Sequence, residues 1–69
     1  MNSIVAPNIK RLIKESGMKQ KVIAERAGYS AHQLSAMVNG RKLIQDTDVV
    51  RIAQGLGVEI SELFKTAVL

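Results

Sequence analysis

Apolar positions recur along the chain at intervals of three and four residues, and no alternation of apolar and polar positions runs long enough to make a strand. This pattern predicts an all-α domain of five helices. The first runs from about Pro7 to Glu15, with Ile9, Leu12 and Ile13 as its inward stripe. Pro7 stands in the first turn, where a missing N–H is tolerated, and Gly17 lies just past the end. The second runs from about Gln20 to Ala27, with Ile23, Ala24 and Ala27 inward and Gly28 free to take the left-handed conformation that ends it. Ser30 is placed to cap a third helix from Ala31 to Val38, and Asn39-Gly40 stops it.

A fourth helix starts near Asp46, where Asp46 and Asp48 oppose the positive end of the helix dipole. It continues through Val49, Val50, Ile52, Ala53 and Leu56 to Gly57. Gly55 inside it should cost about 1 kcal/mol relative to Ala. A fifth, of little more than one turn, covers Ile60 to Lys65 and buries Leu63, with Phe64 a second candidate for burial. An apolar tail, residues 66–69, follows. The short connections fit a compact helical bundle, and residues 1–69 read as one domain without repeats, low-complexity segments or linkers.

Composition changes this picture in two ways. The chain holds no cysteine, so neither disulfides nor a thiolate metal site can staple it, and its 46% hydrophobic content must hold the fold by packing. A reducing, cytoplasmic setting suits that. The N-terminal "MNSIVAPNIKR" lacks the basic start and long apolar run of a signal peptide, and no stretch approaches the roughly 20 apolar residues of a membrane span. Charge is unevenly spread. Residues 1–45 carry eight basic against two acidic side chains, a net +6, whereas residues 46–69 carry two against four, a net −2. A positive part on so small a domain suits a polyanionic partner, or is simply a solvated basic surface.

The stretch "AERAGYSAHQLSAMVNG", residues 24–40, concentrates the candidate chemistry. Two short helices joined by a glycine-containing turn of three residues meet at a large angle, the helix-turn-helix geometry. Ala24 lets the third helix approach the second, and Leu34 and Met37 reach into the core. That leaves Ala31, His32, Gln33 and Ala36 facing outward near the start of the third helix, the end that meets base edges in such motifs. Enzymatic chemistry finds no footing, with one His, no Cys, no facing carboxylate pair and no Gly-rich phosphate loop. No cofactor, metal or small-molecule ligand is implied.

Gln20, Ala24 and Gly28, followed by Ser30, Leu34, Met37 and Asn39-Gly40, and then "RIAQGLGVEISELF", resemble the helix-turn-helix family of phage repressors, Cro and xenobiotic-response-element regulators. The resemblance covers about residues 7–65 and implies a five-helix, lambda-repressor-like domain that binds double-stranded DNA, acts as a transcriptional regulator of the phage-repressor type and pairs as a homodimer. It implies that Ala31, His32, Gln33 and Ala36 face bases. Gln33 would hydrogen-bond an adenine edge, His32 a base acceptor, and the two alanines would pack on thymine methyl groups. Gln20 matches a phosphate-contacting glutamine, and Lys19, Lys21, Ser30, Asn39, Arg41 and Lys42 border the reading face as further phosphate contacts.

The chain departs from the family pattern in places. Lys19 stands where a Thr or Ser cap is usual, and Ile13 and Val38 replace an Arg–Glu pair with an apolar one. Tyr29 replaces a smaller aliphatic residue and is expected to pack on the corner with its hydroxyl outward. Leu63, Phe64, Val68 and Leu69 are the candidate pairing surface, or fold back as core. The alternative function is a protein-interaction module on the same fold, an antitoxin or antirepressor.

Overall fold

A computed structural model of the chain describes residues 4–66. It holds four α-helices, α1 (Val5–Ser16), α2 (Gln20–Ala27), α3 (Ala31–Val38) and α4 (Asp46–Leu56), followed by a 3₁₀ helix, Ile60–Phe64. The expected five-helix count is therefore not met, because the last element is a five-residue 3₁₀ helix and not a fifth α-helix. Among the described residues there is no strand, and no helix is long and apolar enough to cross a membrane.

Helix α1 begins two residues earlier than its proline suggests. Pro7 is its third residue, and the first N–H that must find an acceptor four residues back belongs to Asn8, which donates to the Ile4 carbonyl at 3.2 Å. Pro7 thus sits within the turn whose N–H groups have no helical partner, and its ring costs the helix nothing there. The early start adds Val5 and Ala6 to the buried face. Helices α2, α3 and α4 keep their expected bounds. Ser30 caps α3 through its hydroxyl, which accepts the Gln33 N–H at 3.1 Å.

The core is continuous across all five elements, with Ile9, Ile23, Leu34, Met37, Ile52 and Leu63 completely closed to solvent. Ile13 and Val38, the apolar pair in place of ions, both lie in it. Helices α2 and α4 approach closely at Gly55, where a Cβ would come within 3.0 Å of the Ala27 Cβ and 3.2 Å of the Ile23 carbonyl. A glycine unfavourable to the isolated helix therefore permits backbone-to-backbone packing.

The 3₁₀ helix is fastened to α1 by Asn8, a buried polar residue. Its side-chain amide donates to the carbonyls of Leu63 at 2.9 Å and Lys65 at 2.6 Å, and its oxygen accepts from Arg11 at 3.3 Å. Leu63, anchored above Asn8, completes the core and offers no surface to a second copy. Phe64 stays exposed, and Val68 and Leu69 lie outside the described residues.

Candidate nucleic-acid interface

The corner between α2 and α3 is three residues long, Gly28, Tyr29 and Ser30. Gly28 takes φ +87°, a conformation that L side chains rarely adopt, and the Tyr29 N–H turns back to the Ala24 carbonyl at 2.8 Å. Two bonds then fix the first turn of α3, because the Gln33 side-chain carbonyl accepts the Ser30 N–H at 2.8 Å while Ser30 caps the Gln33 N–H. This reciprocal capping box sets the direction in which α3 leaves the corner.

Around that start, Ser30, Ala31, His32 and Gln33 are exposed, and Ala36 is half-buried one turn further on. The outer face is small and uncharged. The chain after α3 folds back on the helix end, where the N–H groups of Arg41 and Lys42 both donate to the Ala36 carbonyl, at 2.8 and 3.1 Å. Those two cationic side chains are thereby held beside the end of α3, both exposed. Asn39 caps α3 and binds its side-chain amide to the Ser35 hydroxyl at 3.2 Å. At the start of α2, Lys19 occupies the cap position without supplying a side-chain acceptor, Lys21 is exposed and Gln20 is half-buried.

Two helices in this relation, with a three-residue turn and a glycine at the reversal, are matched over residues 8–63 by the family model of a helix-turn-helix domain. The chain belongs to the helix-turn-helix family. A protein of Sinorhizobium fredii, named as an uncharacterized HTH-type transcriptional regulator, is 35% identical over 63 residues, 91% of this chain and 82% of that relative. No solved structure gives a significant match.

Within the helix-turn-helix, Tyr29 behaves differently from its expectation. It packs on the corner as foreseen, but its hydroxyl does not point outward and instead donates to the Asp48 carboxylate at 2.5 Å. Burial, then the Asp48 hydrogen bond and negative charge, push the Tyr29 hydroxyl up to about 12, against a smaller opposing effect of Arg51. For Asp48, burial raises the pKa. The Tyr29 hydrogen bond, the Gln45 N–H and the charges of Lys42 and Arg51 together outweigh burial and hold the carboxyl below its ordinary range. The acceptor that was expected only to complement a helix dipole is thus also a partner of the corner.

Arg51 is the residue that sequence reasoning missed. From α4 it donates through Nε to the Ala27 carbonyl at 3.0 Å and through Nη2 to the Gly28 carbonyl at 2.7 Å. Its guanidinium carbon lies 4.1 Å from the centre of the Tyr29 ring. The space that a Gly28 side chain would fill is occupied by this guanidinium, since a Cβ there would fall 2.5 Å from Nη2. The spacing of Asp48 and Arg51 places both on one side of α4, but their partners at the corner are about twenty residues away and leave no local pattern.

Proposed function

We propose that this helix-turn-helix chain is a sequence-specific DNA-binding transcriptional regulator, a small repressor of the phage type that inserts α3 into the major groove. The observation that supports this reading is an exposed, uncharged start of α3 in a chain whose exposed cations include Lys19 and Lys21 at the start of α2 and Arg41 and Lys42 just past the end of α3. Flat small residues such as Ala31 and Ala36 permit close approach to base edges, while lysine and arginine position the duplex through its phosphates. The helix-turn-helix relative named as a transcriptional regulator supports the same reading.

The base-facing residues then divide by how free their side chains are. Gln33 has its carbonyl held by the Ser30 N–H, so its amide N–H groups are the freer end to face a base. His32 has no side-chain partner among the described residues, and both of its ring nitrogens are available to a base acceptor or donor. The phosphate contacts comprise Gln20, Lys19, Lys21, Ser30, Asn39, Arg41 and Lys42. Two copies related by a twofold axis would read half-sites about 34 Å apart. Phe64, with Val68 and Leu69 beyond the described residues, supplies the apolar pairing surface.

Selection of duplexes from a random pool at two salt concentrations tests the proposal. A shared sequence should emerge, and replacing Arg41 and Lys42 with Ala should weaken all duplexes while reducing the salt slope by about 2. Recovery of no preferred duplex would sink it. The protein-interaction alternative draws on the exposed Ile60 and Phe64 at the 3₁₀ helix. It predicts that the Arg41 and Lys42 replacements change nothing, and that deleting residues 66–69 abolishes a partner complex.

A further inference from the structure

The geometry points to Arg51 as a positioning residue, one that sets the angle of the reading helix from α4 without touching the duplex; this rests on the DNA-reading proposal above. Three independent features converge on it. Its guanidinium fork ties down the two carbonyls at which α2 ends and the corner begins, Ala27 and Gly28. Its guanidinium carbon lies over the ring of Tyr29, the buried side chain of the corner. Tyr29 is in turn bound to Asp48, one helical turn before Arg51 on the same helix, so α4 grips the turn at both its backbone and its ring.

The physical consequence follows from leverage. A turn of three residues is a short hinge, and a small change at it swings the far end of an eight-residue helix by several ångströms. Base contacts lose their value when donor and acceptor are misplaced by about an ångström, whereas phosphate contacts made by long cationic side chains adapt. Loosening the corner should therefore reduce discrimination between duplexes more than it reduces affinity for duplexes in general. Lysine at position 51 keeps the charge but loses the planar fork that spans two carbonyls and lies over a ring.

The test uses the duplex selected by the wild-type chain and a scrambled duplex of the same length and base content. Both are titrated with the wild type, Arg51→Met, Arg51→Lys and Leu56→Ala, the last weakening α4 at a buried position that makes none of the Arg51 bonds. Measurements are made where circular dichroism shows every variant folded. Selectivity should fall about tenfold in Arg51→Met, fall nearly as far in Arg51→Lys, and hold in Leu56→Ala, with the salt slope on scrambled duplex unchanged in all of them. Full selectivity in Arg51→Met, rescue by lysine, or a salt slope reduced by about 1 would overturn the assignment, the last because it marks a phosphate contact.

Residual dipolar couplings of the backbone N–H groups in α2 and α3 test the hinge without any DNA. The wild type should show one fixed orientation of the two helices, and Arg51→Met a changed or averaged one. Identical couplings in both chains overturn the positioning role even if the duplex proposal itself has failed.

Discussion

Two places in this molecule are fastened in the same manner, by a side chain of one helix donating a pair of hydrogen bonds to carbonyls of a neighbouring segment. Near the C-terminal end the donor is Asn8, uncharged and buried, and its acceptors are Leu63 and Lys65. At the corner the donor is Arg51, charged and exposed, and its acceptors are Ala27 and Gly28. The difference lies in what water can do. The Leu63 carbonyl, if it loses Asn8, stays shut away from solvent, whereas the Gly28 carbonyl, if it loses Arg51, can turn to it, so the first device should govern stability and the second geometry.

The sharpest way to break that contrast is Asn8→Ala. It should cost about 2 kcal/mol, since it strands the buried Leu63 carbonyl and frees the segment that carries Leu63. For a domain of this size each kcal/mol lowers the melting temperature by about 4–8 °C, so calorimetry will read the loss directly. Selectivity between duplexes, measured below the transition, should stay at the wild-type value. An unchanged melting temperature would show that burial of Leu63 alone holds the 3₁₀ helix.

Gly55→Ala should follow at about 1 kcal/mol. Helix propensity favours alanine by a similar amount, but the added methyl group meets the Ala27 backbone nitrogen at 3.1 Å and the Ile23 carbonyl at 3.2 Å, and backbone does not step aside cheaply. A stabilised variant in urea titration would mean that α2 and α4 can separate slightly at no cost. Because the contact lies just before the corner, the same substitution asks whether the seat of α2 and the grip of Arg51 act as one unit.

The two fastenings also differ in pH response, because the Asn8 bonds join uncharged groups while the corner includes Asp48 and Tyr29. The Asp48 carboxyl is held below its ordinary range, so its contribution is present above the unfolded pKa of about 3.9 and is lost as pH falls through the lower folded value. The Tyr29 hydroxyl is raised to about 12, so its contribution is complete below an unfolded value of about 10 and is lost as pH climbs toward 12. Tyr29→Phe should cost about 1 kcal/mol at neutral pH and flatten both slopes. Urea midpoints at acid, neutral and alkaline pH will check this; slopes that persist in the phenylalanine variant would assign them to other groups.

What could be read ahead of the coordinates was local. Caps, end glycines and the apolar stripes of α2, α3 and α4 are encoded within a turn or two, and Ser30, Gly28, Leu34 and Met37 stand where periodicity puts them. Pro7 misled only because proline is allowed anywhere in a helix's first turn. The site was half legible on the same terms. The exposed start of α3 follows from helix phase, but the bonds of Arg51 to Ala27 and Asn8 to Leu63 span 24 and 55 residues and have no periodic trace. Leu63 and Phe64 show the limit well, adjacent apolar residues of which one closes the core and the other faces solvent.

The smallest expected effect separates capping from reading at the start of α3 itself. Gln33→Ala removes the acceptor for the Ser30 N–H but leaves the Ser30 hydroxyl on the Gln33 N–H, so half of the capping box survives. Since the Ser30 backbone is exposed, water replaces the lost partner and the stability cost should be about 0.5 kcal/mol, less than the roughly 1 kcal/mol expected for Ser30→Ala. Gln33→Glu keeps the acceptor and should restore that stability at neutral pH, yet it removes the amide N–H groups that could face a base. If Gln33 only caps, selection from random duplexes by the alanine variant returns the wild-type sequence. If it also reads, one base position becomes degenerate in that selection while His32 still fixes its own.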